Sequence, residues 1–80
     1  MLSQGSRDPN HVSALYNLGV LLDDHKGDID GAEKCYRKVL EQDPNDVGAL
    51  CNLGLLLEKH KGDIKGAEQC YRKVLEIQTM

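Results

Sequence analysis

Tryptophan and phenylalanine are absent and tyrosine occurs only three times in 80 residues, so any core must be made chiefly of Leu, Val, Ile and Ala. No apolar run approaches membrane-spanning length, and Met1 to Arg7 lacks the apolar centre of a signal peptide, so no membrane partner is expected. Positive charge is not in excess. Ten Lys and Arg face 13 Asp and Glu, which is the wrong balance for a surface that tracks phosphates, so no nucleic-acid partner is expected either. The three cysteines, Cys35, Cys51 and Cys70, are odd in number and show no C-x-x-C spacing, so a disulfide framework and a zinc site are both unsupported. Reduced thiols point to a cytoplasmic setting. There is no G-x-S-x-G, no phosphate loop and no H-E-x-x-H, and the carboxylates are scattered along charged faces. An enzyme needs convergent titratable groups in a pocket, so catalysis, metal and cofactor are not expected.

What the chain does contain is a tandem repeat. Residues 8–42 and 43–77 are identical at 26 of 35 positions. The nine differences are His11/Asp46, Ser13/Gly48, Tyr16/Cys51, Val20/Leu55, Asp23/Glu58, Asp24/Lys59, Asp30/Lys65, Lys34/Gln69 and Gln42/Ile77. A period of this length marks a solenoid, whose unit is one supersecondary element that buries its apolar face only by stacking on a neighbour.

In chain order, residues 1–7 are polar and aperiodic and read as a flexible leader. Asp8-Pro9-Asn10 opens the first unit, with Asn10 as the expected cap of a helix running from Val12. Its apolar residues fall on a wide face, so both sides should be used. Gly19 inside it costs about 1 kcal/mol relative to Ala, which asks for a packing reason; the expected partner is Ala32. His25-Lys26-Gly27-Asp28 should end this helix, with Gly27 in the left-handed position and Asp28 capping the next. The second helix is expected over Ile29–Glu41, with Glu33 and Arg37 paired at i, i+4 on its outer face. Asp43-Pro44-Asn45 repeats the opening punctuation, and helices over Val47–His60 and Ile64–Gln78 follow. Hence the expected fold is all-α, a four-helix stack of tandem helix-turn-helix units over residues 8–42 and 43–78, with 79–80 as a tail.

The pattern resembles the tetratricopeptide repeat. Leu15, Leu18-Gly19, Leu22, Ala32, Tyr36, Val39 and Pro44 stand where that family places its signature residues, and Leu50, Leu53-Gly54, Leu57, Ala67, Tyr71 and Val74 repeat them. Two departures stand out: each unit has one extra residue in the turn before Gly27 or Gly62, and Leu15 or Leu50 replaces the family's Trp. The longer turn is also similar to the related Sel1-like repeat, whereas the Asp-Pro-Asn boundary favours the tetratricopeptide pattern.

The resemblance implies a protein or peptide partner held in a concave groove lined by the first helix of each unit. The groove candidates are Tyr16, Asn17, Val20 and Asp24, with Ser13 and Asp23 beside them, and Cys51, Asn52, Leu55 and Lys59, with Gly48 and Glu58 beside them. Asn17 and Asn52 could pair with the backbone of an extended peptide, or each amide instead caps or bridges neighbouring helices. Family members that clamp a carboxylate use basic and amide side chains that this chain lacks at Tyr16 and Val20. An apolar or basic amphipathic segment suits the groove better.

Two units leave terminal faces, and the last helix offers Ile64, Ala67, Tyr71, Val74, Leu75 and Ile77 for self-association. A homo-oligomer is expected, with a dimer favoured. The near-identity of the units also fits a self-associating repeat fragment, or a designed, consensus-like sequence with no ligand of its own.

Overall fold

The computed structural model describes residues 9–79, and among these the two-unit repeat becomes four α-helices with no strand. Helix α1 spans Pro9–Leu21, α2 Ile29–Gln42, α3 Val47–Leu56 and α4 Ile64–Gln78. The leader assigned to residues 1–7, the unit boundary at Asp8 and the final Met80 lie outside the described residues. Helix α1 starts at Pro9, so Asn10 falls inside its first turn rather than ahead of it as a cap.

The extra residue of each unit widens a helix end instead of lengthening a loop. α1 runs on into a π-helical turn, Leu22–Lys26, and α3 into another, Leu57–Lys61. Gly27 closes the first turn at φ 66° with its N–H bonded to the Leu22 carbonyl, and Asp28 N–H reaches that same carbonyl at 2.8 Å. Gly62, at φ 67°, and Asp63 repeat this on Leu57. This closure is one residue wider than the usual glycine-terminated helix end, which is how a 35-residue unit keeps a two-residue connection.

Aspartates start three of the helices. Asp28 accepts from Gly31 N–H at 3.0 Å, Asp46 from Ala49 N–H at 3.0 Å and Asp63 from Gly66 N–H at 2.9 Å. The second unit is therefore capped by Asp46, one residue beyond the Asp-Pro-Asn punctuation. The expected surface pair forms, with Arg37 Nε donating to Glu33 at 2.9 Å, and Arg72 with Glu68 repeats it at 3.0 Å.

α1 packs on α2, α2 on α3 and α3 on α4. Ala32, Tyr36, Leu50, Leu53, Leu56 and Leu57 form the middle of the core, and Ala67, Cys70 and Val74 continue it along α4. Each fully buried Leu contributes roughly 1.5–3 kcal/mol, so the α2/α3 junction holds the two units together.

Two packing expectations need correction. The partner of Gly19 is not Ala32: a Cβ there would lie 2.6 Å from Tyr36 Cε1 and 3.2 Å from Cys35 Cβ. The missing side chain makes room for a tyrosine ring. Nor are both sides of α1 used. Leu18 and Leu21 are 46% and 44% exposed, whereas their counterparts on α3, Leu53 and Leu56, are 2% and 1% exposed, because α2 covers α3 and no described helix precedes α1.

Candidate functional site

The first helices of the two units meet across a short polar seam. Asn52 Nδ2 donates to Tyr16 Oη at 3.0 Å, and nearer the helix ends His60 Nε2 lies 3.7 Å from Asp23 Oδ1. The Tyr16 ring tilts against Tyr36, with centroids 6.1 Å apart, so the seam sits directly on the core. Burial pushes the Tyr36 phenol up to about 12, Asp23 adds to the rise and the Asn52 amide opposes it.

Two clefts open at opposite ends of this α1/α3 pair. The first, of about 340 Å³, is lined by Val12, Ser13, Tyr16, Asn17, Asp46 and Gly48. The second, of about 240 Å³, is lined by Asp23, Asp24, Leu55, Leu56, Lys59 and His60. Asp23 and Asp24 belong to one π-helical turn and Lys59 and His60 to the other, so the extra residue of each unit builds a wall of this cleft.

The eight groove candidates are thus divided. Tyr16 and Asn17 enter the first cleft, and Asp24, Leu55 and Lys59 the second. Val20, Cys51 and Asn52 are half-buried and line neither cleft. The two asparagines, identical in the repeat, have different surroundings: Asn52 is engaged with Tyr16, while Asn17 is exposed and makes no side-chain hydrogen bond among the described residues. Leu55 is 44% exposed beside the charges of Asp24 and Lys59. Sequence reasoning missed Val12, Asp46, Leu56 and His60 as lining residues. Asp46 had a signal, since an Asp two residues after Pro44 is a helix cap, and a cap faces the groove mouth here.

Cys35 and Cys70 are buried, and burial pushes both thiols up; Cys51 is half-buried. No group of three or more His, Cys, Asp and Glu side chains able to hold a metal occurs among the described residues. No helix of the described residues is long and apolar enough to cross a membrane.

The outer face of α4 is a separate apolar surface. Ile64 and Leu75 are 60% and 61% exposed, Tyr71 is half-buried, and a cleft of about 280 Å³ lies among them and Ala67. Of the six residues assigned to self-association, Ala67 and Val74 are buried and Ile77 is half-buried, since α3 already covers that side of the helix. Tyr71 Oη donates to Glu58 at 3.3 Å, and burial and that carboxylate together raise its phenol.

A TPR-repeat family model matches residues 25–61, and a tetratricopeptide-repeat model matches residues 47–79. The first match spans the α2/α3 junction and the second the α3/α4 hairpin. No curated protein matches the chain.

Proposed function

The chain belongs to the tetratricopeptide-repeat family, and from that premise we propose that it is a protein-interaction module holding a peptide or partner helix in the groove between α1 and α3. It works by binding and not by catalysis, as a scaffold or adaptor. The observation that carries this reading is the pair of clefts along one seam, with the Asn17 amide, which makes no side-chain hydrogen bond among the described residues, in the first and an apolar side chain, Leu55, presented among charges in the second. Asn17 pairs with the ligand backbone, Leu55 receives an apolar side chain, and Asp23 and Asp24 favour a basic residue. With Asn52 engaged by Tyr16, the grip rests on one asparagine instead of two. Its three free cysteines suit a reducing compartment, the cytoplasm.

Fluorescence titration with labelled basic amphipathic peptides tests the reading, using Asn17→Ala, Leu55→Asp and Asp24→Lys. All three positions are exposed, so the fold is spared. Each variant should weaken binding severalfold. Affinities that ignore all three would remove the groove from the account.

Self-association is a second reading, favoured by the exposure of Ile64 and Leu75 on α4. Contiguous apolar surface of this kind marks an interaction site.

A further inference from the structure

The α4 face and the α1 face are the two halves of an interface that the chain already contains. At the α2/α3 junction, Ile29, Ala32, Tyr36 and Leu40 of α2 share one core with Leu53 and Leu56 of α3, and Ala49 of α3 is buried too. One period on, α4 carries the same residues as Ile64, Ala67, Tyr71 and Leu75. One period back, α1 carries Ala14, Leu18 and Leu21. The α3 residues are buried and the α1 residues exposed, so α1 offers the side that α3 gives to α2. The cleft of about 280 Å³ on α4 lies where α3 would rest if α4 were α2.

We infer that the second copy of this chain docks head to tail, with α1 of one copy laid on α4 of the other in the geometry of the α2/α3 junction. This rests on the self-association reading and gives it a direction. Because the two surfaces differ, the contact is heterologous and leaves one free face of each kind, so growth is open-ended instead of stopping at a closed pair.

The polar rim does not repeat as the apolar centre does. Within the chain, Lys61 pairs with Asp30 and lies 3.6 Å from Glu33. Between copies Lys26 takes the place of Lys61, Glu68 that of Glu33, and Lys65 that of Asp30. The contact with the glutamate is kept, while the one with the aspartate becomes a meeting of two lysines. The Tyr16 and Asn52 hydrogen bond is lost as well, since Cys51 and Asn17 occupy those places. The substitution of Asp30 by Lys65 therefore weakens stacking between copies relative to stacking within the chain, and limits open-ended growth.

Sedimentation equilibrium of the full chain with reductant, over a wide concentration range, tests this with three surface variants. Wild type should show weak, open-ended association. Leu18→Glu and Leu75→Glu should each abolish it, because each blocks one of the two faces. Mixed together they should form a one-to-one complex that grows no further, through the intact α4 of the first and the intact α1 of the second. Lys65→Asp should tighten wild-type association about fivefold, the scale of an exposed charge reversal. If Leu18→Glu associates as well as wild type, the contact is an α4-to-α4 pair, and this inference fails while self-association stands. If the mixture stays monomeric or Lys65→Asp has no effect, the head-to-tail geometry is wrong. A wild type that is monomeric at millimolar concentration overturns both the inference and the reading it rests on.

Discussion

A single methyl group added at Gly19 and at Gly54 should have different consequences, although the two glycines occupy the same repeat position. At Gly19 the new Cβ would sit 2.6 Å from Tyr36 Cε1, 3.0 Å from Cδ1 and 3.2 Å from Cys35 Cβ. Tyr36 is 1% exposed and is held between the Tyr16 ring and the α3 leucines, so it has no space to withdraw into. Overpacking of this kind costs roughly 1–3 kcal/mol, and the better helix propensity of Ala returns about 1 kcal/mol. Gly19→Ala should therefore destabilise the fold by up to about 2 kcal/mol. At Gly54 the clash is with Tyr71 Cε1 at 2.7 Å, but that ring is half-buried and borders the open cleft on α4. It can swing outward, and the net cost should be close to zero. Urea unfolding followed by circular dichroism gives the answer: a lower midpoint at constant slope for Gly19→Ala, and an unfolding free energy within about 0.5 kcal/mol of wild type for Gly54→Ala. Equal losses at both sites would refute the claim that freedom of the facing tyrosine decides the cost. A more stable Gly19→Ala would refute the close approach itself.

Tyr36 makes stability fall in alkali: its phenol ionises near 10 when unfolded and is pushed up to about 12 when buried, so the contribution is intact below pH 10 and is lost as pH rises between those values. Urea midpoints across that window should drop for wild type and drop much less for Tyr36→Phe; identical profiles would contradict the assignment. Gln42 Oε1 is buried without a hydrogen-bond partner among the described residues, and the second unit carries Ile77 at the same position. Gln42→Ile should raise stability by about 1 kcal/mol in the same urea assay, and a loss would show that the amide is satisfied. With a thiol reagent under native conditions, Cys51 should react first and Cys35 and Cys70 only as the chain opens, since burial both covers these two and raises their thiols. Cys51→Ser should remove the fast phase, and its persistence would assign that phase to another thiol.

The fold was legible because its punctuation is local. Gly27 and Gly62 adopt the left-handed conformation the turn requires, Asp28 and Asp63 cap the next helices, and α4 ends at Gln78 as its periodicity says. These features depend on a few adjacent residues, so they can be read without knowing what lies across the core. The π-helical turns were not legible, because a wider helical turn demands no residue type that an ordinary one refuses; only the count of 35 hinted at it. The partner of Gly19 was missed for a different reason. Which α2 side chain meets a given α1 position depends on how the two helices cross, and Ala32 and Tyr36 lie on the same face one turn apart.

The candidate site was less legible because it depends on differences between the units, and the repeat draws the eye to what they share. Leu18 and Leu53 are the same residue in the same motif, yet one is exposed and the other buried, because burial is set by the neighbouring helix. Asn17 and Asn52 separate for the same reason: Asn52 has Tyr16 of the preceding unit within reach, and no described helix precedes α1 to offer Asn17 such a partner. Asp30 and Lys65 complete the pattern, since Asp30 pairs with Lys61 of the second unit whereas Lys65 carries the opposite charge at the same repeat position. In a stack of near-identical units the shared residues set the geometry that any neighbour must match. The few that differ then decide which polar contacts form between units, as Tyr16 with Asn52 and Asp30 with Lys61 do here.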